Sequence, residues 1–222
     1  MSRELSTEEW ENVTNLIHSA DVDALESLLK ENPDFITGYG PNGYNILHYA
    51  VLKDNKSDAL RYLASPDSAI DVNVRTFRAG NLGDTPLLVA SIRGEAEGVE
   101  ILLKNPKTDV NLKSASGNTA LVLATYGAEV DIVKVILKKS LSPVDLFSES
   151  ENPDENPIIC AERQVTLYEG IRDEEKIERW KTIISLIEGY ESNREVEGDL
   201  VNKVSGLDVS SSSESDEEEG EP

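Results

Sequence analysis

Cysteine and histidine are almost missing from the 222-residue chain, which has one of the former and two of the latter. Cys160 alone cannot close an intramolecular disulfide, and a zinc site on His18 and His48 would need carboxylates to complete its ligands. Long apolar runs are missing too: nowhere do 18 apolar residues follow one another, so no membrane span is expected. Residues 1–10 hold no hydrophobic stretch, and no signal peptide is expected. These absences point to cytosol or nucleus. Aromatic residues make up 5% and apolar residues 38% of the chain, lean for one compact core of this length. A repeat architecture tolerates that, because each unit buries its apolar face only against its neighbours.

The usual marks of catalysis are absent as well. There is no G-x-x-x-x-G-K-[ST] loop, no G-x-G-x-x-G after a strand, no G-x-S-x-G elbow and no H-E-x-x-H helix. Acid pairs occur only in tail, loop and solvated helix faces. Neither an enzyme nor a bound cofactor or metal is expected.

Basic residues are outnumbered, 21 Lys and Arg against 43 Asp and Glu, for a net charge of −22. In the last 32 residues eleven acids against Arg194 and Lys203 leave −9, and the other −13 is spread over the first 190. Such a field repels nucleic acid and anionic membrane and attracts basic proteins; it also confers solubility without any partner.

What is present is a period. Gly83-Asp-Thr85-Pro86-Leu87-Leu-Val-Ala90 returns 34 residues later as Gly117-Asn-Thr119-Ala120-Leu121-Val-Leu-Ala124. The same step takes Val99, Leu102 and Leu103 to Val133, Ile136 and Leu137, and Tyr62 and Leu63 back to Leu28 and Leu29. Gly43-Tyr-Asn45-Ile-Leu47-His48-Tyr-Ala50 supplies another copy, and Asp71-Val72-Asn73 is repeated by Asp109-Val110-Asn111. Each position has a physical reason. Thr85 caps a first helix, Pro86 suits its first turn, and Ala50, Ala90 and Ala124 let neighbouring helices approach closely. Val99, Leu102 and Leu103 present a second helix to the next unit.

This pattern resembles the ankyrin repeat, G-x-T-P-L-H-x-A-A…V-x-x-L-L…D-V-N. The resemblance implies an all-α ankyrin repeat solenoid of about four to five helix–turn–helix units. Residues 1–39 form an N-terminal capping repeat, opened by the capping box Ser6-Thr-Glu-Glu9. Residues 40–140 form three repeats, and 141–190 a degenerate C-terminal capping repeat. Residues 191–222 form a disordered acidic, serine-rich tail. In the cap, Asn156-Pro157 echoes Thr85-Pro86, Cys160 occupies a core slot, and a helix from about Asp173 to Tyr190 carries Ile177, Trp180, Ile183, Ile184 and Ile187 as a lid. Only His48 keeps the family's histidine, Leu88 and Val122 replacing it elsewhere; its expected role is to tie down adjoining backbone. His18 falls in a variable exposed slot.

Two features point to partners. The Leu47-to-Leu87 spacing is six residues longer than the period, an insert near 74–82 that predicts an enlarged hairpin. It either carries Arg75, Phe77 and Arg78 outward, or its phenylalanine folds back on the stack. Ankyrin proteins bind other proteins on their concave face, through the turn beside the glycine and the exposed end of the first helix. By register this implies Tyr44, Leu52, Lys53, Leu82, Asp84, Ile92, Arg93, Asn118 and Tyr126, with Glu155, Arg163 and Gln164 in the degenerate unit. Tyr44, Leu52, Leu82, Ile92 and Tyr126 either make an exposed patch, with Asp154 and Glu155 steering a basic partner to it, or pack within the repeats. Ser211, Ser213 and Ser215 each precede an acid by three residues, the pattern acidophilic kinases use. The expected function is a monomeric protein-binding adaptor. The alternatives are a dedicated escort for a basic client, such as a ribosomal protein or histone, or a regulatory subunit of an enzyme.

Overall fold

A computed structural model describes residues 3–53, 58–78, 81–146 and 156–207, without the side chains of Arg78, Asn81, Leu82 and of residues beyond Arg194. The ten α-helices among the described residues fall into five pairs: α1 (Thr7–Ser19) with α2 (Val22–Glu31), α3 (Ile46–Leu52) with α4 (Asp58–Leu63), α5 (Pro86–Arg93) with α6 (Ala96–Leu103), α7 (Ala120–Tyr126) with α8 (Val130–Lys139), and α9 (Pro157–Glu169) with α10 (Glu174–Leu207). First helices pack in series, α1 on α3, α3 on α5, α5 on α7 and α7 on α9. Second helices do the same from α2 to α10. The core is therefore one continuous seam between two helical layers.

Local sequence sets where each first helix begins. Side chains of Asn45, Thr85, Thr119 and Asn156 accept hydrogen bonds from backbone amides in the first turns of α3, α5, α7 and α9. Ser6 and Glu9 complete the capping box of α1. Ala50, Ala90 and Ala124 have no exposed surface, and the pairs Leu102-Leu103 and Ile136-Leu137 are buried between layers. Asparagines then clip successive turns together. Asn73 donates to Lys107 O at 2.7 Å and accepts from the Asp109 amide at 3.0 Å. Asn111 repeats this one unit on, with Pro143 O at 2.9 Å and the Asp145 amide at 2.8 Å. Asp-Val-Asn thus closes each junction with two bonds from one side chain.

The insert is an antiparallel hairpin of β1 (Phe77–Arg78) and β2 (Asn81–Leu82), with Phe77 opposite Leu82. The Phe77 amide donates to Gly43 O at 2.7 Å, which pins the hairpin to the preceding turn. Gly43 sits at φ +74°, and a Cβ there would lie 1.8 Å from Phe77 O. Arg75 departs from expectation. It does not project outward: half-buried, it donates to Gly83 O at 2.8 Å and Lys113 O at 2.9 Å, joining the hairpin to the next turn.

Ile177, Trp180, Ile183 and Ile187 are buried in the last layer, and Trp180 Nε1 donates to Thr125 O at 2.8 Å. The lid helix does not stop at Tyr190. It runs to Leu207 because nothing breaks it: Glu191 to Leu207 contains no proline and many good helix formers. Arg194 still reaches Val144 O at 3.0 Å. Residues 208–222, with Ser211, Ser213 and Ser215, lie outside the described residues, as do Asp154 and Glu155.

Candidate functional site

The open ends of the first helices line one face of the stack, and the repeat register decides which residues stand there. Leu52, Ile92, Tyr126 and Arg163 each fall seven residues after the capping residues Asn45, Thr85, Thr119 and Asn156. Stepping back 34 residues from Leu52 puts His18 in the same row. Neighbouring helix axes lie about 8–10 Å apart, so one extended partner segment can touch successive members.

Exposure separates these residues. Ile92 is 54% exposed and Tyr126 37%, while Arg93 and Arg163 are also exposed. Leu52 is half-buried and packs on the core, and Tyr44 is half-buried with its ring 6.0 Å from that of His48. Tyr44 and Leu52 therefore belong partly to internal packing, and the apolar surface among these described residues is centred on Ile92 and Tyr126. Phe77 satisfies both expectations for it. Its ring lies 5.5 Å from that of Tyr39, yet 65% of it remains exposed. The side chains of Arg78 and Leu82 lie outside the described residues. Asp84 is half-buried, and its carbonyl receives His48. Asn118 is also half-buried and donates to Ser116 Oγ at 3.1 Å, which ties it into its own turn. Gln164 is half-buried on α9.

Sequence reasoning missed an aromatic corner at the N-terminal end of the same face. Trp10 meets Tyr49 edge-on, centroids 5.6 Å apart and planes at 78°; His18 meets it at 6.1 Å and 67°. The Tyr49 hydroxyl and His18 Nδ1 are 3.3 Å apart, and Lys53 places Nζ 5.9 Å over the Tyr49 ring. Gly40 lies flat on Trp10, where a Cβ would come within 2.4 Å of the indole. The contact joins α1 to α3, and the spacing of Trp10 and His18 within α1 does not by itself show which ring of the next repeat they meet.

Two titratable groups behind the face are structural. His48 has no exposed surface and holds Asp84 O at 2.9 Å from Nε2, joining α3 to the following turn; burial pulls its pKa down to about 4. The imidazole is therefore neutral at physiological pH. Cys160 is 1% exposed beside Tyr126, and burial pushes its thiol up to about 12, which leaves no thiolate for nucleophilic attack. On the opposite, outer layer, a cleft of about 590 Å³ lies between the ends of α2 and α4, lined by Leu29, Ile36, Tyr62 and Ile70 beside Glu26 and Lys30.

Paired helices stacked in two layers, with clipped turns between them, define a helical-repeat solenoid. Residues 74–146 match the family model for ankyrin repeats (3 copies). That segment of the chain is a run of ankyrin repeats. The helix pairs on either side of the matched segment continue the same stacking. No curated protein matches the chain. Ankyrin repeats as a class are protein-binding modules rather than catalysts, and that class role is what the stack supports. No helix among the described residues is long and apolar enough to cross a membrane.

Proposed function

We propose that the protein is a monomeric adaptor that holds another protein on the face bearing Ile92 and Tyr126. The observation that carries this reading is the exposure of both side chains, at equivalent ends of the first helices of consecutive repeats, where solubility alone favours polar residues. Arg93 and Arg163 flank them as polar rim, and Phe77 extends the surface toward the hairpin. The test is affinity purification with quantitative mass spectrometry, using the full chain and an Ile92→Glu, Tyr126→Ala variant. The variant melts like the parent and loses the partner; equal recovery removes the proposal.

A second reading, escort of a basic client, draws on the net charge of −22. Its mark is salt: a client held by charge dissociates steeply between low and high ionic strength, whereas an apolar adaptor contact does not. Deleting residues 208–222 in the same assay measures the share carried by the acidic end and by phosphorylation at Ser211, Ser213 and Ser215. Cover of an enzyme's surface is the third reading, distinguished by the identity of the recovered partner. Action in cytosol or nucleus belongs to the same proposal and is supported by the single, buried cysteine.

A further inference from the structure

We infer that the corner formed by Trp10, His18 and Tyr49 seats guanidinium groups of an arginine-rich partner segment, and that Lys53 is its exchangeable place-holder. This rests on the reading that the concave face binds a protein, and it names the chemistry of one end of that face.

Three observations lead there. First, the Tyr49 ring already attracts a cation: Lys53 Nζ stands 5.9 Å over it, and Lys53 makes no ion pair among the described residues. Arg3 and Lys30, the other cations of residues 3–53, are bound to Glu9, Asp34 and Glu26. Second, the rings meet edge-on at 78° and 67°, so they form a corner in which the half-buried Tyr49 ring keeps the face that Lys53 occupies. Third, the segment that carries the corner is acidic. Residues 3–53 hold nine carboxylates against three cations, and exposed Glu11 lies on the same helix side as His18, two turns away. An aromatic corner that already holds a cation, on an acidic segment of the chain, favours a cation.

Arginine fits better than lysine for a stated reason. A guanidinium is planar, stacks on an aromatic face and sheds water more readily than an ammonium. It therefore displaces Lys53, which moves into solvent at little cost because its stem is already exposed. The partner class is a protein carrying an exposed arginine-rich strand or tail.

Fluorescence anisotropy of a labelled (Arg-Gly)5 peptide titrated with the full chain, at fixed ionic strength, tests this. Tyr49→Leu weakens binding about threefold or more while the melting curve confirms folding. Lys53→Ala strengthens it about threefold, an effect misfolding cannot imitate, and this gain disappears when Lys53→Ala is made on top of Tyr49→Leu. A (Lys-Gly)5 peptide binds more weakly than its arginine counterpart. A Lys53→Ala gain of equal size in both backgrounds, or equal affinity for the two peptides, reduces the contact to general charge attraction and overturns the inference. Partner loss in the Ile92→Glu, Tyr126→Ala variant, with the peptide indifferent to Tyr49, leaves the concave-face reading standing and removes only the arginine seat.

Discussion

At the scale of single residues, the buried imidazole of His48 links stability to pH. Its pKa is about 4 in the fold against 6.5 for the free group, so between those values the unfolded chain binds the proton that the folded chain refuses. The contribution is complete above pH 6.5 and is lost progressively as pH falls toward 4, amounting to about 3 kcal/mol. Urea denaturation across that range checks it: wild type loses stability more steeply than His48→Gln, which keeps a donor for Asp84 O and has nothing to protonate. Glu9 acts lower on the scale. Its hydrogen bond with Arg3 holds it near 2, so what it contributes is present above the ordinary carboxylate value and fades below it. Gly43 is constrained twice, by its positive φ and by Phe77 O. Gly43→Ala is expected to cost about 2 kcal/mol or more and to release the hairpin, read by denaturation and by loss of the Tyr39–Phe77 contact in NMR spectra.

At the scale of elements, the asparagine clips give a separable prediction. Asn73→Ala and Asn111→Ala each remove two bonds at a different junction, so each is expected to cost about 1–2 kcal/mol, and the double variant about their sum. Thermal and urea unfolding of the set measures this. The helix pairs were legible because Thr85, Thr119 and the leucine pairs recur at a fixed spacing that only stacking explains. The hairpin was legible from six surplus residues. The inward turn of Arg75 was not, because an arginine beside a phenylalanine looks the same whether it faces solvent or two backbone carbonyls one repeat away. Nor was the length of α10, since polarity signals exposure and not the end of a helix: residues 191–207 contain no proline, and Val196, Leu200, Val204 and Leu207 recur at helical spacing.

At the scale of the whole molecule, charge and shape divide the labour. On the proposed reading, the acidic field would draw a basic protein in from a distance, and the open helix ends would decide where it settles. The proposed binding face was only half legible from register alone. The family pattern gave Ile92 and Tyr126 their places, but burial of Leu52 and Tyr44 depends on neighbours in adjacent repeats, and the Trp10–Tyr49–His18 corner needs α1 and α3 brought face to face. The proposal turns on a partner sitting on this face. Placing a photo-crosslinking residue at position 92, and in parallel at Lys134 on the outer layer, tests it most directly. A partner seated on the helix ends gives a covalent adduct with one protein from position 92 and none from 134; an adduct only from 134, or equal trapping from both, places the partner elsewhere.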